Sequence, residues 1–283
     1  MIDASTARWI AQQVGCEVHD SRRLSGGSIN EVYRLRLSNG ENLVLKVNRS
    51  APVGLFAAEA VGLHRLKESD SKVPAVIAVA NQMLLLEDLG ESRPTQAFWP
   101  ILARMLANQH QHTSSRFGFC QDNHIGLTEQ RNAWTESGVE FFAEHRLRFQ
   151  IELARDTGLL STQDIEQLDR LSSRLADWIP EQPAALLHGD LWRGNIHCTG
   201  TGEPALIDPA CYYGWAEAEL AMTTLFGELP EAFYREYQEI SGMEPEWRSR
   251  APLYNLYHLL NHLNLFGGSY LCSVRSVLKR YIN

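Results

Sequence analysis

Between residues 31 and 37, Tyr33, Leu35 and Leu37 alternate with Val32, Arg34 and Arg36. This rough period of two marks a strand with one buried face. Ser38-Asn39-Gly40 follows as a turn, and 42–47 is a second apolar run, so the pair reads as a β-hairpin. Over 55–66 the spacing becomes helical, through Leu55, Ala58, Gly62, Leu63 and Leu66. Short strands are expected at 75–79 and 83–86. Upstream, 3–14 reads as a short helix with Asp3 as N-cap and Gly15 as its stop.

From Pro94 onward helical patterns take over, with helices expected at 97–112 and 134–154. Ser161-Thr162-Gln163-Asp164 resembles a capping box, and it opens a stripe of Ile165, Leu168, Leu171, Leu175 and Trp178. Short strands return at 185–187 and 205–207. The tail, 252–281, is helical and apolar at Leu256, Leu259, Leu260, Leu263 and Phe266. The expected fold is α+β in two lobes: residues 1–90 form a small antiparallel-sheet lobe with one inserted helix, and 91–283 a larger helical lobe. The linker falls at 87–94, and such a junction favours a ligand cleft.

A chain of 283 residues suffices for two lobes sharing a cleft. Its 44% hydrophobic content is ordinary for a globular protein. A net charge of −8 without any dense basic run argues against nucleic-acid binding. No apolar run approaches the ~20 residues of a membrane span, and the first fifteen residues lack the pattern of a signal peptide. Cys16, Cys120, Cys198, Cys211 and Cys272 stand far apart, with no CxxC pair. Reduced cysteines in a cytoplasmic protein are therefore expected.

The chemistry concentrates in His188-Gly189-Asp190-Leu191-Trp192-Arg193-Gly194-Asn195, which has the H-x-D-x-x-x-x-N spacing of a kinase catalytic loop. A hydroxyl that accepts a phosphoryl group needs a carboxylate to orient it and take its proton, and Asp190 fits that role. A nearby oxygen donor must hold a metal ion on the phosphates, and Asn195 fits that. Thirteen residues on, the apolar run Leu206-Ile207 ends in Asp208, a second metal ligand; two such residues plus ATP suffice for Mg2+. The bare D-x-x-x-x-N pattern also fits a turn and a cap, and the full string followed by strand and Asp decides between them.

In the sheet lobe, Lys46 lies inside the apolar run 43–47, where an unpaired ammonium is costly. In kinases a strand lysine holds ATP phosphates and pairs with a helix glutamate, and Glu59 stands on the next expected helix. Ser25-Gly26-Gly27-Ser28-Ile29-Asn30 is a small-residue turn where amides can approach phosphates, although it is neither a Walker A motif nor a full G-x-G-x-x-G. The order of glycine turn, strand Lys, helix Glu, linker, catalytic loop and metal Asp is that of a kinase.

These residues resemble the fructosamine kinases, or ketosamine-3-kinases, over essentially the whole chain. The strings are 187–192 with Gly194-Asn195, Ile207-Asp208-Pro209-Ala210-Cys211-Tyr212-Tyr213-Gly214, 217–222, Asn132, Trp134, 140–146 and 265–268. The resemblance implies a fold like that of protein kinases and aminoglycoside phosphotransferases, ATP as donor, and phosphorylation of the third-carbon hydroxyl of a small or protein-bound ketosamine, which frees the amine. It implies Asp190 as base, Asn195 and Asp208 as metal ligands, Lys46 and Glu59 as ion pair, and Glu87, Asp88 and Leu89 as adenine linker. Gly26, Gly27 and Ser28 would meet the phosphates. Pro209 after Asp208, in place of Phe-Gly, favours an enzyme without an activation switch.

For the acceptor, Trp192 stands two residues past the base, and Tyr212, Trp215 and Glu217 follow the metal Asp; core packing explains such aromatics equally well. Asn132 and Trp134 join them by resemblance only. His188 is expected to support the loop. His258 and His262 have zinc-compatible i, i+4 spacing but no Glu directly after His258. An aminoglycoside- or choline-type kinase and a non-catalytic nucleotide-binding protein are the alternative readings. Oligomeric state has no signature here.

Overall fold

In a computed structural model that describes residues 2–24 and 29–282, helix α1 (Ala4–Val14) is opened by the Asp3 carboxylate, which accepts from the Thr6 amide, and closed by Gly15 at φ +70°. Strands β1 (Val18–Leu24), β2 (Glu31–Leu37) and β3 (Asn42–Val47), helix α2 (Leu55–Glu68), and strands β4 (Val76–Ala80) and β5 (Met83–Glu87) follow. The five strands form one antiparallel sheet in the order β1-β2-β3-β5-β4. The pleat sends Tyr33, Leu35, Leu37, Leu43, Leu45, Val47 and Leu85 to one face, packed with Ile10 of α1. Leu84 and Leu86 take the other face, with Leu55, Phe56, Ala60, Leu63 and Leu66 of α2. Lys46 and Val44 are their cross-strand partners, which puts the lysine on the α2 side.

Beyond the linker come α3 (Phe98–Gln111), β6 (Thr113–Ser114), β7 (Asn123–Ile125), β8 (Thr128–Gln130) and α4 (Gly138–Phe141). A π-helical turn, Phe142–Arg148, carries α4 into α5 (Phe149–Asp156). Then follow α6 (Thr162–Ser172), β9 (Ala184–Leu187), β10 (Ile196–Cys198), β11 (Pro204–Leu206), β12 (Tyr212–Gly214), α7 (Ala216–Leu225), α8 (Glu231–Ser241), α9 (Trp247–Phe266) and α10 (Leu271–Tyr281). β12, β9 and β6 make a small sheet, while β7-β8 and β10-β11 are hairpins. The core runs from α2 through α3 and β9 to α9.

Two expected helices differ. The helix read over 134–154 starts at Gly138, because Ser137 caps it by accepting from the Glu140 amide, while Thr135 bridges to Phe117. The tail starts earlier, at Trp247, and takes Pro252 inside α9. It breaks at Gly267, whose φ of +87° leaves the helical region. No helix among the described residues is long and apolar enough to cross a membrane.

Candidate active site

The β10-β11 hairpin explains the spacing of the key residues. Ile196 pairs with Leu206 and the Ile207 amide donates to the Asn195 carbonyl at 3.1 Å, so Asn195 and Asp208 emerge side by side. β9, buried throughout, delivers His188 to Asp190 at the same end. Asp208 has φ +58°, left-handed for a non-glycine residue, the kind of local strain that gathers at functional sites.

Across the cleft, Lys46 is 3% exposed. Its Nζ reaches Glu59 Oε1 and Oε2 at 2.6 and 2.7 Å and Asp208 Oδ1 at 3.0 Å. Burial by itself would favour the neutral amine, yet Asp208 and Glu59 hold the ammonium above its ordinary range. Helix α2 can seat Glu59 this close because Gly62 faces Pro209 and Cys211; a Cβ there would lie 3.3 Å from both Pro209 Cγ and Cys211 Sγ.

Asn195 is buried, and its Nδ2 donates to the Asp190 carbonyl at 2.8 Å and to Asp190 Oδ2 at 3.1 Å. Its amide oxygen is left as the acceptor. Burial raises Asp190 to about 7 against the Asn195 hydrogen bond, with Asp208 and Glu219 adding to the rise. That is a suitable range for a general base. Asn195 and Asp208 together offer two hard oxygen donors, a set suited to magnesium shared with phosphates. Among the described residues no cluster of three or more His, Cys, Asp or Glu could hold a metal by itself, and His262 Nδ1 is bonded to the His258 carbonyl.

The loop is braced from below. The His188 imidazole is fully buried, and burial pushes it down, keeping it neutral. Its Nε2–H donates to the Ile207 carbonyl at 2.9 Å, and Nδ1 accepts from the Asp190 amide at 3.3 Å. Glu219 on α7 accepts from the amides of His188 (3.0 Å) and Gly189 (2.8 Å), from Gln109 Nε2 and from His110 Nε2. Burial opposes its charge, yet His110 and these amides hold it below the usual carboxylate range. Gly189 has φ +84°, and a Cβ on it would meet the Ala210 carbonyl oxygen at 2.0 Å.

A cleft of about 890 Å³ runs over these groups. Asp190, Asn195, Asp208, Lys46, Glu59, Trp192, Glu87, Asp88 and Leu89 all line it. The linker is stitched down: Asp88 pairs with Arg34 at 2.7 Å, and the Gly200 amide donates to the Leu89 carbonyl. Gly26, Gly27 and Ser28 lie outside the described residues. Trp192 is 38% exposed and stands edge-to-face with Phe226, which stacks on His262.

The other acceptor candidates are placed elsewhere. Asn132 is buried and bonded to Arg146 and Asn123. Tyr212 lies against the Arg146 guanidinium at 4.0 Å, Trp215 packs on Phe117, Phe142 and Tyr254, and Glu217 binds Arg250 and Tyr254. Trp134 is exposed but stacks on Tyr213 under Arg116, away from the cleft. The reason is that β12 returns into the sheet beside β9, which turns the residues after Asp208 inward. Asn30, from the expected glycine turn, lines the cleft, as do Arg34 and His124, to which the sequence assigned no site role; nor did it assign one to Glu219. Arg34 showed only as a polar position of β2, and a lone His on a three-residue strand carries no periodic signal.

The family model for fructosamine kinases matches residues 2–283. Among relatives, a probable ketoamine kinase of Synechocystis is 40% identical over 98% of this chain and 97% of its own length. The chloroplastic protein-ribulosamine 3-kinase of Arabidopsis thaliana is 38% identical over 92% of this chain and 81% of its own. The crystal structure of a candidate fructosamine-3-kinase from Thermobifida fusca superposes with a TM-score of 0.90 at 32% identity, covering 98% of both chains. The streptomycin–ATP ternary complex of APH(2")-IIa has a TM-score of 0.68 at 13% identity, over 99% of this chain and 97% of that one, and shares the two-lobed, kinase-like fold.

Proposed function

The chain belongs to the fructosamine kinase family, and from that premise we propose that it transfers the γ-phosphoryl group of ATP to the third-carbon hydroxyl of a ketosamine, the first step in releasing the sugar from the amine. The observation that carries this reading is the meeting of Lys46, Asp190, Asn195 and Asp208 at one cleft between sheet and helices. We take residues 1–90 as the nucleotide-holding lobe and 91–283 as the lobe bearing the catalytic loop and acceptor site.

In this mechanism the adenine lies against Glu87, Asp88 and Leu89. The Lys46 ammonium, kept charged by Glu59, faces the phosphates. Asp190 orients the acceptor hydroxyl and takes its proton as the O–P bond forms and the bond to the ADP oxygen breaks. Magnesium, held by Asn195 and Asp208, would supply charge neutralisation on the phosphates. Trp192 gives the sugar an exposed aromatic face. Five unpaired cysteines support a reducing compartment such as the cytoplasm.

The test is ATP consumption with magnesium and a fructosyl- or ribulosyl-lysine derivative. Asp190→Asn is expected to lower turnover by about 10² to 10⁴ with little change in ATP affinity. A variant with full turnover removes Asp190 from the mechanism; a wild type that binds nucleotide but ignores ketosamines moves the acceptor to another hydroxyl compound.

A further inference from the structure

Arg146 is 0% exposed, lies in the π-helical turn, and has no carboxylate in salt-bridge range among the described residues. Its guanidinium sits 4.0 Å from the Tyr212 ring centroid, 4.5 Å from that of Phe141 and 5.4 Å from that of Tyr257. A buried, unpaired cation is a poor choice for stability alone, since a Met or Leu fills such a space without desolvating a charge. π-Helical turns are also found often at functional sites.

The hydrogen bonds show where this charge acts. Nη1 donates to the Arg131 carbonyl at 2.6 Å and Nη2 to Asn132 Oδ1 at 2.7 Å. A guanidinium has donors only, so Asn132 must present its oxygen to Arg146 and its Nδ2 outward. That Nδ2 donates to Asn123 Oδ1 at 3.0 Å, and Asn123 Nδ2 in turn donates to the Cys211 carbonyl at 2.8 Å. Gln130 Nε2 joins by donating to Asn123 Oδ1 at 2.7 Å and to the Ala210 carbonyl at 2.9 Å, its own oxygen taken by Tyr257 OH. Ala210 and Cys211 come two and three residues after Asp208, and the Ala210 amide donates to the His188 carbonyl at 2.8 Å. The relay thus ends on the backbone that ties the Asp208 segment to the catalytic loop.

We propose that Arg146 is a positioning residue: through Asn132, Asn123 and Gln130 it fixes the 208–211 segment, and with it the carboxylate of Asp208 that receives the metal–nucleotide. The inference rests on the proposed roles of Asp208 and Asp190. The charge itself is fully buried, and Asn123, two links along the relay, lines the cleft.

Asn132→Asp separates the two roles of this charge. A carboxylate there pairs with Arg146, so the buried cation gains a counter-ion, but it has no N–H for Asn123. If Asn123 flips to donate to it, the Asn123 oxygen is turned onto the Cys211 carbonyl. Asn132 Nδ2 also donates to the Gln121 carbonyl at 3.1 Å, a bond the carboxylate loses, so the gained counter-ion and the lost donors should leave the melting temperature of N132D close to that of the wild type. MgADP affinity by calorimetric titration and ketosamine turnover should each fall about tenfold or more, because the 208–211 segment is no longer held in place. Arg146→Lys should retain part of the affinity, and Arg146→Met should lose it. A folded N132D with wild-type MgADP affinity and turnover overturns the proposal and leaves Arg146 a packing residue, even if R146M fails to fold. A wild type that shows no magnesium-dependent nucleotide binding would instead sink the kinase reading on which the inference stands.

Discussion

Gly189→Ala tests how tightly the catalytic loop is held. The added Cβ would lie 2.0 Å from the Ala210 carbonyl oxygen, a residue whose amide is bonded to His188, so something must move by about 1 Å. The Gly189 amide is meanwhile fixed on Glu219. Holding an L-residue at φ +84° costs roughly 1–2 kcal/mol, and forcing atoms into a filled space about 1–3 kcal/mol more. The sum of about 2–5 kcal/mol corresponds to a fall in melting temperature of roughly 4–10 °C for a chain of this size. Displacing Asp190 by a comparable distance should cost about 10² in turnover. Gly158→Ala is the control: it has φ +71° but nothing within 4 Å of its Cβ position, so it carries the backbone strain without the clash and should leave turnover intact. Calorimetric melting and steady-state kinetics on both variants read the two parts separately. If G189A melts no lower than G158A and turns over normally, the loop has slack and the bracing by Ala210 and Glu219 has been overstated.

Two further outcomes concern pH. Burial, with His262 and Arg146 adding, holds His258 down at about 3. Between that value and 6.5 the unfolded chain therefore binds a proton that the native state refuses, and stability should fall by about 1.4 kcal/mol per unit as pH drops through this window. His258→Leu should flatten that slope in urea titrations at pH 7 and pH 5, and an unchanged slope would mean that the native imidazole accepts the proton. Asp164 is lowered chiefly by Arg275, and it also caps α6 through Ser161. Its contribution is present above the unfolded value near 3.9 and is lost as pH falls through its depressed folded value. Asp164→Asn should cost about 1 kcal/mol at pH 7 and progressively less below pH 4, as measured by chemical denaturation; an equal loss at pH 3 would show that the charge is not what matters.

Elements with one wet face were readable from their period, and the buried β9 and β11 only as short apolar runs. β2, α2 and α6 alternate between core and solvent, so their periods survive in the sequence, whereas β3, packed on both faces, showed only as an apolar run after a turn. β1 did not stand out because Val18–Leu24 is a polar strand at the sheet edge, largely exposed. α7 was silent for the opposite reason: seven of its residues, including Glu217 and Glu219, are buried, and a helix packed on all sides has no stripe. Lys46, Glu59, Asp190, Asn195 and Asp208, which meet at one cleft, were proposed from the sequence because kinase chemistry dictates residue type and order. Tyr212, Trp215 and Glu217 show the limit of arguing from nearness along the chain. Nothing in the sequence tells that a three-residue strand turns them into the core. Arg146 and Asn132 were noticed only as parts of a shared string, since a hydrogen-bond relay between distant segments leaves no periodic trace.

Seen as a mechanical linkage, the contact of Gly62 on Pro209 and Cys211 has a further meaning. Two bodies joined by one strap can turn about three axes, and a second point of attachment leaves one. Here the strap is the 87–94 segment and the second point is α2, with the Gly126 turn also close to Ile29. Such a contact resists a free swing of the jaws. On the proposed function, a sugar borne on a folded protein would then have to stand clear of its carrier on a lysine-length stem and enter from the Trp192 rim, so accessibility of the adduct on its own carrier becomes the sieve.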